Sequence, residues 1–104
     1  MILYGLKNCD TCRKALKAMP EIDFRDVRAD GVPVDLLKSA YTQFGNAVLN
    51  TRSTTWRGLD DAERGKDPLV LLAEYPTLMK RPLIDNDGIL YLGWTKEVQE
   101  KLLG

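Results

Sequence analysis

The period of the apolar positions changes several times along the chain. Met1–Tyr4 is a short apolar run closed by Gly5, which predicts a strand. Thr11–Met19 places Ala15, Leu16 and Met19 on one face and predicts a helix, with Asp10 or Thr11 as its cap and Pro20 as its stop. Ile22 and Phe24 then alternate within Glu21–Val27, a second strand ahead of the break at Gly31. Val34–Phe44 has the strongest helical pattern. Leu36, Leu37, Ala40, Tyr41 and Phe44 share a face, Pro33 suits the first turn, and Gly45 supplies the stop. Ala47–Leu59 is polar, hydroxyl-rich and basic, and much of it reads as loop. Asp60 and Glu63 have capping-box spacing for a short helix ending near Gly65. Asp67 and Pro68 open another through Tyr75, Pro76 ends it, and Thr77–Lys80 suggests one more turn.

The tail returns to strand character. Leu83–Asp85 and Ile89–Leu92 flank Asn86-Asp87-Gly88, a hairpin signature. Thr95 caps a closing helix expected to turn Val98, Leu102 and Leu103 inward. The order is strand, helix, strand, helical block, hairpin, helix. It predicts an α/β fold: a small mixed sheet covered by helices, in one domain spanning residues 1–104.

Composition narrows the function classes. Hydrophobic residues are 44% and charged residues 29% of the 104, as in an ordinary globular chain. No apolar run approaches the roughly 18 residues of a membrane span. The opening MILYGLKNC lacks the charged and apolar regions of a secretory signal, so a cytoplasmic location is the expectation. Lys plus Arg and Asp plus Glu are 15 each, so net charge provides no pull toward nucleic acid or membrane. Histidine is absent, which excludes Cys–His and Ser–His dyads.

The candidate chemistry lies in Cys9-Asp10-Thr11-Cys12, between the first strand and first helix. A C-x-x-C pair beside a strand–helix–strand pattern reads as a thioredoxin-like redox motif. Cys9 falls at the helix N-terminus, where unpaired N–H groups and the helix dipole favour a thiolate. Cys12 follows about one turn later and can attack a mixed disulfide on Cys9. Cys9 is the expected nucleophile and Cys12 the resolving thiol. Two other readings stand beside this one: a zinc shared between two chains, and an inert pair of core cysteines. No metal site is expected within one chain.

YGLKNCDTCRKA resembles the active-site segment of the ArsC arsenate-reductase family, which includes the Spx regulators and the YffB-type proteins. LNTRSTTWRGL and MKRPLI resemble its middle and late signatures, in the same order. The likeness spans nearly the whole chain and is greatest to the glutathione-linked YffB-type branch. It implies a thioredoxin-like, glutaredoxin-like fold with a helical insertion at about 33–80, between the second strand and the Arg81-Pro82 segment. It implies that Cys9 is the nucleophile, that Arg81 serves catalysis, and that Pro82 is the cis proline beside the nucleophile. Asn8, Thr11, Arg13 and Arg52 join Pro82 as the expected substrate- or anion-binding set. A third family arginine aligns near Gly93 and is missing here.

Lys7, Arg13, Lys14, Arg52, Arg57, Lys80 and Arg81 all fall in these segments; a fold that brings them together makes a basic cleft around Cys9, while Lys7, Lys14 and Lys80 taken singly read as solvated surface charges. Trp56 and Trp94 are assigned to packing. The function the resemblance implies is a glutathione-linked thiol–disulfide oxidoreductase. It would be a monomer with no tightly bound cofactor and glutathione as co-substrate, acting on a small thiol or oxyanion substrate, with glutaredoxin as a further partner. The alternatives are a glutathione- and glutaredoxin-coupled arsenate reductase, and an Spx-like redox-switched regulator that binds RNA polymerase.

Overall fold

Leu3 of the first strand sits in the middle of a row of apolar side chains that crosses the whole sheet. The computed structural model describes Met1–Gly104. Strands β1 (Ile2–Gly5), β2 (Asp23–Asp26), β3 (Leu83–Asn86) and β4 (Ile89–Leu92) form one sheet in the order β2-β1-β3-β4. β1 pairs parallel with β2 and antiparallel with β3, and β3 pairs antiparallel with β4. The registers Leu3↔Phe24, Leu3↔Ile84 and Ile84↔Tyr91 align four apolar residues on one face. Helix α1 (Asp10–Ala18) covers that row with Ala15 and Leu16, and Met19, Trp94 and Leu102 complete the layer.

Local chemistry sets the remaining ends of this unit. The β3–β4 turn has positive φ at Asp87 (51°) and Gly88 (91°), as a two-residue hairpin with right-handed strand twist requires. Asp85 accepts a hydrogen bond from the Gly88 N–H at 2.8 Å, and Asn86 is the last strand residue rather than part of the turn. Thr95 caps the closing helix (Lys96–Leu103) by accepting from the Val98 N–H. Val98 is buried, but Leu103 is 51% exposed, contrary to expectation. It is the last residue of the helix, where its side of the helix end stays open to solvent while Leu102 packs on the sheet layer.

The chain divides into two units, Met1–Val27 with Arg81–Gly104, and Arg28–Lys80. The second is helical and contains the expected insertion. A single helical turn, α2 (Val27–Asp30), leads into it, and its longest helix is α3 (Val34–Phe44), bounded as its pattern predicted. Leu37 and Ala40 of α3 are buried, as are Val48, Leu71, Leu72, Leu78 and Met79. Gly45 ends α3 at φ 62°. The polar stretch read as loop carries two short elements, a 3-10 turn at Gly45–Val48 and helix α4 (Thr54–Arg57). Ser53 caps α4 through the Trp56 N–H, an end signal that outweighs the run's polar composition.

Asp60 caps α5 (Asp61–Arg64) and Asp67 caps α6 (Pro68–Glu74), both as their spacing predicted. The final turn is a 3-10 helix at Pro76–Leu78, starting and ending ahead of the expected Thr77–Lys80. Arg64 stacks on Trp56 at 5.3 Å and donates to its carbonyl at 3.1 Å, which gives Trp56 the packing role assigned to it. No helix is long and apolar enough to cross a membrane.

Candidate active site around Cys9

β1 ends at Gly5, and a tight turn carries the chain to α1, with the Cys9 N–H donating to the Leu6 carbonyl at 3.2 Å. Cys9 itself is the N-cap: its backbone is extended (φ −92°, ψ 121°) and its carbonyl accepts the first helical bond, from the Arg13 N–H at 2.9 Å. This corrects the expectation that Asp10 or Thr11 caps the helix. Both lie inside it. The reason is that the turn delivers the chain to helical geometry one residue earlier than the side-chain preferences for capping suggest.

The placement determines the ionisation of the two thiols. Partial burial of Cys9 works against its thiolate. The Cys12 N–H, the Cys12 thiol, the Arg81 guanidinium and the Thr11 N–H outweigh that burial and hold the Cys9 pKa below its ordinary 9.0. Cys12 is fully buried. Burial, the hydrogen bond it gives to Cys9 and the charge of Cys9 push its pKa up to about 12, against the Leu6 N–H and Arg81, which favour its charge. One thiol is therefore poised to ionise and the other to stay protonated.

Arg81 reaches Cys9 from the start of β3, across the cis Arg81-Pro82 peptide. The cis bond agrees with the expectation for Pro82, which is fully buried. The Pro82 carbonyl accepts from the Gly93 N–H at 2.8 Å. Gly93, where the third family arginine would align, has φ 81°, a conformation that an arginine would adopt only under strain.

Arg13 is engaged locally. Its Nε donates to the Lys7 carbonyl at 2.8 Å, and its Nη1 lies 3.7 Å from the exposed carboxylate of Asp10. Lys7 lies 6.0 Å from the centre of the Phe24 ring. Asn8, Thr11 and Lys14 are exposed. Arg52, Arg57 and Lys80 belong to the helical unit, where all three are exposed. The geometry thus assembles Cys9, Cys12 and Arg81 around one sulfur, with Thr11 contributing its backbone N–H. Gly5, read from the sequence only as the end of the first strand, joins them: a Cβ there would lie 2.5 Å from the Cys12 Sγ.

The ionisation pattern gives a direct test. Alkylation of Cys9 should rise with pH and level off above an inflection below 9.0, because only the thiolate reacts. Arg81→Gln removes a donor to that thiolate, so the inflection should move upward. Cys12 should remain unmodified through neutral pH. Mass spectrometry of timed alkylation with iodoacetamide checks all three. An inflection unmoved by Arg81→Gln would remove Arg81 from the site.

Residues 4–102 match the profile of the ArsC family. An uncharacterized protein of Haemophilus influenzae is 43% identical over 91% of this chain and 91% of its own length. The global transcriptional regulator Spx 2 of Bacillus cereus is 30% identical over 99% of this chain and 86% of its own. A solved structure named YFFB protein superposes with a TM-score of 0.88 at 30% identity, covering 99% and 98% of the two chains. The α/β fold with its four-stranded mixed sheet is accordingly of the thioredoxin-like kind.

Proposed function

Since this chain belongs to the ArsC family, a family of thiol-oxidoreductase type, we propose that it is a glutathione-linked thiol–disulfide oxidoreductase. The observation that carries the proposal is the inequality of the two cysteines. Cys9 is an N-cap whose thiolate is supported by two backbone N–H groups and Arg81, and Cys12 is a buried thiol held beside it.

The reaction follows from that inequality. The Cys9 thiolate attacks one sulfur of a substrate disulfide. A Cys9–substrate disulfide forms, and the other half leaves as a thiolate that takes a proton from solvent. Charge on Cys9 is then gone, and with it part of what kept Cys12 protonated. Cys12 gives its proton to solvent and attacks the Cys9 sulfur, releasing the second substrate thiolate and leaving a Cys9–Cys12 disulfide. Two glutathione thiols reduce this bond in turn, and oxidised glutathione departs. The balance is one substrate disulfide reduced and two glutathiones oxidised. Arg81 stabilises the thiolate at Cys9 whenever that sulfur is the attacking or leaving group.

The choice of glutathione rests on the resemblance of the sequence to the glutathione-linked YffB-type branch. Titrating reduced glutathione into the oxidised protein should shift the backbone amides of Cys9, Cys12 and Arg81 and release oxidised glutathione. Shifts confined to other parts of the chain would refute the proposal. Arsenate reduction is the weaker reading, because Gly93 stands where a third oxyanion-binding arginine would be.

A second reading has its own support. The similarity to the global transcriptional regulator Spx 2 over 99% of this chain favours a transcriptional regulator, and the resemblance to the Spx branch implies that the Cys9–Cys12 disulfide would be its redox signal. Pull-down with RNA polymerase in oxidising and reducing buffer separates the two. Binding in one redox state only would favour the regulator, and no binding in either would remove it.

A further inference from the structure

Gly5 closes β1 opposite Asp26 of β2 and is not among the glycines with positive φ. Its backbone would accept any L-residue, so the requirement for glycine is one of space. A Cβ at this position would lie 2.5 Å from the Cys12 Sγ, 3.5 Å from the Cys12 Cβ and 3.2 Å from the Leu3 Cδ2. The Leu3 methyl ends a flexible side chain and can yield by a few tenths of an ångström. The sulfur cannot be overlapped in the same way: the clash falls well inside van der Waals contact, and Cys12 has no exposed surface to move toward. The next residue, Leu6, turns its backbone N–H onto the same sulfur. Two consecutive residues therefore offer Cys12 a bare Cα to lie against and a hydrogen-bond donor.

We infer that the Gly5–Leu6 peptide is a seat for the resolving thiol, and that Gly5 is a positioning residue for the second step of thiol–disulfide exchange. The inference rests on the reading of Cys12 as the resolving thiol. Attack on a Cys9 mixed disulfide needs the Cys12 sulfur close to Cys9 and in line with the departing thiol. The seat holds the sulfur in one position before the mixed disulfide forms. As Cys12 gives up its proton to solvent, the Leu6 N–H stabilises the new thiolate. The Cys12–Cys9 bond then forms as the Cys9–substrate bond breaks, and the departing thiolate carries the electron pair away.

The test uses the reduced full chain and DTNB, an aryl disulfide whose released thiolate absorbs visible light. The first equivalent released reports the attack by Cys9, and the second reports the attack by Cys12 on the Cys9 adduct. In Gly5→Ala the ratio of second-phase to first-phase rate should fall between about tenfold and a hundredfold, the range expected for a misplacement of about 1 Å. An unchanged ratio overturns the inference. Thermal unfolding supplies an independent arm. Gly5→Ala should lower the midpoint when Cys12 is present and lower it far less in Cys12→Ala, where the clashing sulfur is gone. An equal loss in both backgrounds, or failure of the double variant to fold, overturns the seat. Should Gly5→Ala alone not fold, a folded double variant identifies the sulfur as the cause and supports it. Release of only the first equivalent by the unsubstituted chain refutes Cys12 as the resolving thiol, whatever the unfolding arm shows about the seat.

Discussion

Cys9→Ser is expected to abolish disulfide reduction, by about a thousandfold or more, while leaving the fold intact. The serine hydroxyl does not ionise near neutral pH. The Cys12 N–H, the Thr11 N–H and Arg81 would then have no anion to stabilise. The effect on stability should run the other way. Cys9 is an N-cap whose sulfur makes no cap hydrogen bond of ordinary geometry. Serine is among the preferred N-caps, and its shorter side chain can accept from the N–H groups that face it, for a gain of about 0.5 kcal/mol. Loss of turnover together with an equal or higher thermal midpoint is the expected pair of results. Retention of more than about a tenth of the activity would show that Cys9 is not the nucleophile. A lower midpoint would show that the sulfur contributes packing that the N-cap geometry does not account for.

Leu3→Ala is expected to be the most damaging truncation in the sheet unit, at about 3 kcal/mol. Leu3 is fully buried in the row Phe24–Leu3–Ile84–Tyr91 and lies beneath Ala15 of the first helix. Truncation leaves a cavity that strands on both sides prevent from collapsing, and a lowering of the thermal midpoint by roughly 15 °C should follow. Ile89→Ala is the comparison. Ile89 is 59% exposed beside the hairpin turn, so its truncation should change stability by no more than about 0.5 kcal/mol. Chemical denaturation of the two variants checks the ordering. Similar losses would mean that the row is not the centre of this core.

Much of the architecture could be read along the chain because it depends on local signals. Val34–Phe44 has an uninterrupted apolar stripe with Pro33 before it and Gly45 after it, and its ends are as expected. Asp60, Asp67 and Thr95 cap the helices their spacing pointed to. The hairpin at Asp87-Gly88 follows from two residues that tolerate positive φ. The stretch before Leu59 was less legible. Its polar composition argues for loop, whereas the Ser53 side chain and the neighbouring Arg64–Trp56 stack stabilise a single helical turn there. Leu103 was misplaced because apolar character says nothing about which side of a helix end finds a partner.

The candidate active site divides along the same line. The pairing of Cys9 with Cys12 and the expectation that Cys9 is the nucleophile came from spacing, because one helical turn and a helix N-terminus are properties of adjacent residues. The sequence by itself also determined the strand–helix order, and its resemblance to the ArsC family marked Arg81-Pro82 as a signature. Only the tertiary structure decided that Cys9 is the cap, that Arg81 reaches its sulfur, and that Cys12 is buried against Gly5. The physical reason is distance along the chain. Arg81 reaches Cys9 because β3 pairs beside β1, and the Cys12 sulfur meets Gly5 because the first helix folds back over the sheet. Long-range packing of this kind sets burial and charge, and those separate a thiol that ionises from one that stays protonated.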